Sequence, residues 1–394
     1  MSFVERAETV GRLPDRFGRL RTGGSSMSRI RWRAGRLGLA LGITFAVGAV
    51  TAATAASPPI LSRGPHGEKP TPATKVVLTP AEVAKVKAMH ATAAIVLHYG
   101  GNDWSTAQVT GLKAAFGKLG IRVIAVTDAN FKPDKQVSDI ETVLVKKPSI
   151  IVSIPTDPVA TAAAYKKASR AGVKLVFMDN VPNGMVPGRD YISVVSADNY
   201  GNGVAAAKLM CEALGGKGDI GAVYHGADFF VTKQRWNGFK TTISRQCPGV
   251  KIVVSKGISG PDFAGDANTA AGAMLTRYQS LKGIWAVWDV PAEGVMSAAR
   301  AAGRSDLIIT TEDLGKNVAV ELARDGLVKG LGAQRPFDQG VTEAKLAAYG
   351  LLGKKAPIYV ALPALPTTHA NVLQAWRQVY HASAPSEVKK AYKK

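Results

Sequence analysis

Only two cysteines occur in the 394 residues, Cys211 and Cys247. Neither sits in a CxxC pair or beside a pair of His, so they do not make a metal site by themselves. The familiar catalytic signatures are missing as well. The first strand-to-helix turn reads GGNDWST rather than GxGxxG, and GxxxxGK[ST] and GxSxG do not occur. Dinucleotide sites, phosphate loops and hydrolase elbows therefore lose their sequence basis. No motif places a Ser beside His98 or His225, which leaves an exported hydrolase as a weak alternative. Beyond residue 56 there is no run of five basic residues, although the net charge is +21. Nine Arg against three acids in residues 1–56 account for six of those charges. The remaining +15 is scattered, the pattern of solvated helix faces rather than of a nucleic-acid surface.

What is present begins with a leader. Arg29, Arg31, Arg33 and Arg36 precede an apolar core over residues 37–50 and the small residues TAATAAS, the order of an export signal. Residues 1–56 are assigned to it, with cleavage after Ala55 or Ala56 and Met27 as an alternative start. The apolar core is short for a membrane span and no stop-transfer segment follows; an uncut signal anchor is the rival reading. The mature chain is expected in the periplasm or elsewhere in the cell envelope. Residues 57–90 are rich in Pro, Gly and Lys and read as a linker or arm, and residues 386–394 as a basic tail. In an exported chain, Cys211 and Cys247 are either a disulfide or two buried thiols.

The folded part is organised around residues 148–180. Ile150 to Ile154 and Val176 to Met178 are apolar runs bounded by turn formers, and between them Asp157, Pro158 and Gly172 bracket a helix. Such a crossover forces parallel strands. Ten strand candidates alternate with helices, too many for one comfortable open sheet. The expected fold is α/β, with two doubly wound parallel-sheet lobes joined by hinge strands. Residues 91–197 plus 335–365 make the first lobe and 198–334 plus 366–385 the second, with crossings near Ala197, Gln334 and Leu365. Polar and aromatic residues leave the carboxyl ends of the strands, where open parallel sheets bind ligands. If the lobes face each other there, these side chains suit a small polyhydroxylated solute.

The motifs PTDPVATAAAYKKASRAGVKLVFMDN, SADNYGNGVAAAKLM, QRWNGF, VWDVPAEGVMSAARAAGR, TEDLG and ARDGLVKGLGAQ follow in order over about residues 92–365. In them the chain resembles the type I periplasmic substrate-binding proteins of ABC importers, of the ribose-binding, cluster B kind. The resemblance implies a monomeric receptor that hands a sugar or polyol to a membrane permease, without enzyme activity, cofactor, metal or nucleic-acid partner. It implies ligand contacts from Asn102, Trp104 and Asp179 in the first lobe. It implies Arg235, Phe263 and Asp313 in the second, with Gln334 at the hinge. Two positions depart from the pattern, Asn180 where sugar receptors often carry Arg and Trp288 where they often carry Asn; both are kept as ligand-facing. With three aspartates near two tryptophans, a small cationic or other non-sugar ligand is the alternative. Each residue also has a plainer reading: Asp179 and Asp289 as caps, the tryptophans as packing, Arg235 as a structural ion pair, and Asp198 and Asn199 as the crossover or a helix cap.

Overall fold

Ile150, Ile151 and Val152 are fully buried and divide between two separate core clusters. Their strand therefore carries cover on both faces, as a parallel sheet requires. In the computed structural model, which describes residues 58–392, the strands are β1 (Thr71–Pro72), β2 (Thr92–Leu97), β3 (Arg122–Asp128), β4 (Ile150–Ser153), β5 (Lys174–Met178), β6 (Ser193–Ala197), β7 (Lys217–His225), β8 (Gly249–Ile258), β9 (Leu281–Ala286), β10 (Ile308–Glu312), β11 (Val328–Ala333), β12 (Tyr359–Leu362) and β13 (Leu365–Thr367). A seven-stranded sheet runs β1-β12-β6-β5-β4-β2-β3, and a six-stranded sheet runs β13-β11-β10-β9-β7-β8. Every pairing is parallel except β11 with β13. The chain passes between sheets three times: after β6, after β11 and between β12 and β13.

Close helix approaches fix each lobe. In the first, a Cβ on Gly111 of the helix Asp103–Lys118 would run into the Phe337 carbonyl of the helix Pro336–Leu351. In the second, a Cβ on Gly203 of the helix Asn199–Ala213 would meet the Arg235 carbonyl of the helix Phe230–Gln246. Glycine lets the backbones touch, and that contact sets where Arg235 stands. Cys211 and Cys247 form a disulfide between these two helices, with Cα atoms 6.2 Å apart.

Two segments differ from the sequence reading. Residues 58–90 are not a free linker: β1 extends the first sheet beside β12, and Thr79 and Glu82 cap the helix Pro80–Ala88 reciprocally. Leu61 N and Ser62 N donate to the Asp198 carboxylate at 2.9 and 2.8 Å, and Gln234 Nε2 donates to Arg63 O at 2.8 Å. The arm is thereby fastened to the first crossing and to the second lobe. Proline-rich sequence hid it, because its bonds run to distant residues rather than within a local period. The tail is not free either. The helix Ser386–Ala391 buries Val388 completely in the second-lobe core, and Tyr392 stacks on His369 at 4.8 Å. The export signal over residues 1–56 and the last two residues of the tail lie outside the described residues. The helix after β4 begins at Ala162; Asp157 instead caps the preceding turn, accepting from Val159 N and Ala160 N at 2.7 Å each.

Candidate functional site

Asp179 and Asp313 occupy equivalent places in the two lobes. Each follows directly on its strand, β5 or β10, with positive φ of 55° and 65°. Each donates its backbone N–H to the neighbouring strand, Asp179 to Val195 O at 2.8 Å and Asp313 to Gly332 O at 3.1 Å. Aspartate tolerates this left-handed turn better than most residues, and the turn lifts its carboxylate off the strand end toward the gap between lobes. On the first lobe, Asn102 caps the helix Asp103–Lys118 by accepting from Ser105 N at 2.8 Å, and Ser105 Oγ ties back to Tyr99 O at 2.8 Å. The cap leaves the Asn102 amide nitrogen and the Tyr99 and Trp104 rings to form the wall.

These groups line one small cavity of about 60 Å³. Asn102, Trp104 and Asp179 line it from the first lobe, and Arg235, Trp288 and Asp313 from the second, with Gln334 at the crossing. Two expected members do not line it. Phe263 packs behind the wall, 4.9 Å from Trp288 and 5.1 Å from Phe131. Asn180 is buried beside the site with both polar ends of its amide unpartnered among the described residues.

Part of the lining lies outside the ligand set read from the sequence. His98, Tyr99, Phe131, His225 and Phe229 supply ring surface, and Asp289, read there as a helix cap, is a third carboxylate. Asp289 does not cap the helix Asp289–Ala301, which it begins after Trp288 with no side-chain cap; its Oδ1 accepts only from the adjacent Val290 N at 3.0 Å, and it lines the cavity. Phe131 had no local signal; it sits two residues past Ala129 with a positive φ of 55°. The His98–Tyr99 pair, directly after β2, was legible as a strand end and could have been weighed with Asn102.

Polar contacts run as a chain across the first crossing. Ser196 Oγ donates to Asp179 Oδ1 at 2.6 Å, and Asn199 Nδ2 donates to Ser196 Oγ at 2.9 Å. Arg235 Nε donates to Asn199 Oδ1 at 3.0 Å, and its Nη1 donates to Asp313 Oδ2 and Val287 O, both at 3.0 Å. The carboxylates of both lobes are thus joined through one buried guanidinium. Asp198 and Asn199 mark the crossover, and Asn199 is also a link in this chain.

Burial governs the protonation. It pushes Asp179 up to about 6, against the pull of Ser196 and Arg235. It pushes Asp289 well above the carboxylate range, and the nearby Asp313 adds to this. For Arg235 burial works against the charged form, but Asp313, Glu312 and Asp179 outweigh it. Burial lowers His98 to about 3, helped by His225, and lowers His225 to about 4. Both imidazoles are neutral at pH 7 and serve as aromatic wall.

Two α/β lobes, three crossing strands and a small cavity walled by rings and carboxylates at the carboxyl ends of both sheets define a two-lobed solute-binding protein. The chain belongs to the periplasmic binding protein domain family, whose model matches residues 93–355. This is a family of substrate-binding receptors for ABC transporters, not of enzymes. The ribose import binding protein RbsB of Salmonella typhimurium is 23% identical over 267 residues, 67% of this chain and 86% of that protein. The D-apiose import binding protein of Actinobacillus succinogenes is 25% identical over 272 residues, 68% of this chain and 84% of that protein. In fold the chain is similar to an ABC transporter solute-binding protein from Agrobacterium vitis solved with α-D-tagatopyranose. That likeness has a TM-score of 0.67 at 24% identity, covering 73% of this chain and 99% of the other.

Proposed function

We propose that this chain is a periplasmic receptor that captures a sugar or polyol between its lobes and delivers it to an ABC-type permease. The observation that carries the reading is the shared cavity: Asp179 from one lobe and Arg235 with Asp313 from the other line the same small space. Hydroxyls donate to such carboxylates and accept from the guanidinium, and the Trp104 and Trp288 rings cover C–H faces. Because both lobes contribute, a bound solute stabilises the closed arrangement, which the permease then reads as the loaded state. One chain supplies every wall, so the receptor needs no second copy to bind. The ligands of its relatives, ribose and D-apiose, support the choice of a small sugar. Calorimetric titration of the mature chain against pentoses, hexoses and polyols tests it. One-to-one binding of at least one of them is expected, and silence across the panel would remove the reading.

A further inference from the structure

The wall of the cavity carries three carboxylates, Asp179, Asp289 and Asp313, and a single cationic side chain, Arg235. That cation is already engaged, by Asp313 Oδ2, Asn199 and the Val287 carbonyl. Asp289 keeps only a backbone N–H from Val290. It is 5% exposed, and the charged or titratable groups around it are Asp313, Glu293 and Asp103, with Tyr99 and Tyr380 feeling its field. None of these is cationic. Asp313 Oδ1 and Gln334 Oε1 are buried, line or adjoin the same space and have no donor among the described residues. One end of the cavity, formed by Tyr99, Trp288, Asp289 and Asp313, is therefore acidic, desolvated and walled by aromatic faces, and its unpartnered N–H, Trp288 Nε1, carries no charge to balance the carboxylates.

Resting on the receptor reading above, we propose that the solute carries an ammonium group beside its hydroxyls, an amino sugar or amino polyol, with that group held between Asp289 and Asp313 against the Tyr99 and Trp288 rings. A buried carboxylate without a partner is costly, and a ligand ammonium supplies both the missing charge and three donors. The rings add attraction for a cation while still covering C–H surface. A neutral sugar leaves the deficit to be met by a proton on Asp289. An ammonium displaces that proton to solvent, so the two ligand types differ in proton release as well as in affinity.

Matched pairs differing only by ammonium for hydroxyl provide the test: glucosamine with glucose, 1-amino-1-deoxysorbitol with sorbitol, and an amino-deoxy-inositol with inositol. Each is titrated calorimetrically into the wild-type mature chain in two buffers of different ionisation enthalpy. In at least one pair the amino member is expected to bind about tenfold tighter or more, with proton release on binding. In Asp289→Asn the preference within that pair shrinks toward equality. A neutral member that binds as tightly as its amino partner, or an amino preference unchanged in Asp289→Asn, overturns this inference and leaves the receptor reading standing. Failure of every pair together with the wider neutral panel removes both.

Discussion

Replacing Arg235 by Met keeps the bulk of the side chain and removes the one charge that balances the cavity wall. The Arg235 and Asp313 side chains are 4% and 9% exposed, and their Nη1 to Oδ2 distance is 3.0 Å. Removing one partner of such a pair leaves an uncompensated buried charge, which costs about 3–5 kcal/mol. Asn199 Oδ1 and the Val287 carbonyl lose their donor at the same time. For a lobe of this size each kcal/mol moves the midpoint by about 2–4 °C, so Arg235→Met should melt roughly 6–20 °C lower in differential scanning calorimetry without ligand. The second arm of the experiment is Arg235→Met with Asp313→Asn. Neutralising the stranded carboxylate should return part of the loss, so the double variant is more stable than the sum of the single effects predicts. A single variant within ~2 °C of wild type, or strictly additive losses, would refute the claim that the guanidinium holds the two carboxylates together.

Four further outcomes follow from the structure. Hydroxyl donors favour the ionised form of Asp179, which burial has raised to about 6, so ligand affinity should climb from about pH 5 to about pH 7 and then level off; calorimetry that finds a flat or falling profile contradicts this. A raised carboxylate contributes stability that is full below its unfolded value and lost as pH rises through the folded one. The unliganded wild type should therefore lose stability relative to Asp179→Asn between about pH 4 and about pH 6, read by denaturant titration. Reduction of the Cys211–Cys247 disulfide, whose partners are 36 residues apart, should cost roughly 3–4 kcal/mol, and an unchanged denaturation midpoint under reductant is the opposing result. Gly111→Ala forces the helix Asp103–Lys118 away from the Phe337 carbonyl and should cost ~1–3 kcal/mol with a weakened site, since Asn102 and Trp104 start that helix; a neutral effect on thermal stability argues against the close approach.

The lobes were legible because their signal is local. Apolar runs such as Ile150 to Val152 and caps such as Asn102 announce parallel strands and helices by period and composition alone. The strand ends pointed to the site, and Asp179, Asp313 and Arg235 do meet in one cavity. What stayed hidden depends on contacts between distant residues. β12 lies between Pro357 and Pro363, and it is buried because β1 and β6 flank it. The arm is held by Asp198, more than a hundred residues away. Phe263 follows the family pattern and Asn180 departs from it, yet neither lines the void, Phe263 because it packs behind Trp288. No local pattern reports the direction of a side chain at a left-handed residue.

The account stands on a solute touching both lobes at once. The most direct measurement is the affinity of one bound sugar or polyol for wild type, Asp179→Asn and Asp313→Asn, side by side in a single calorimetric series. Each lobe's substitution should weaken binding by about 1–3 kcal/mol while the protein stays folded. Loss from one lobe only, with the other variant binding as wild type does, would contradict a ligand shared between the two.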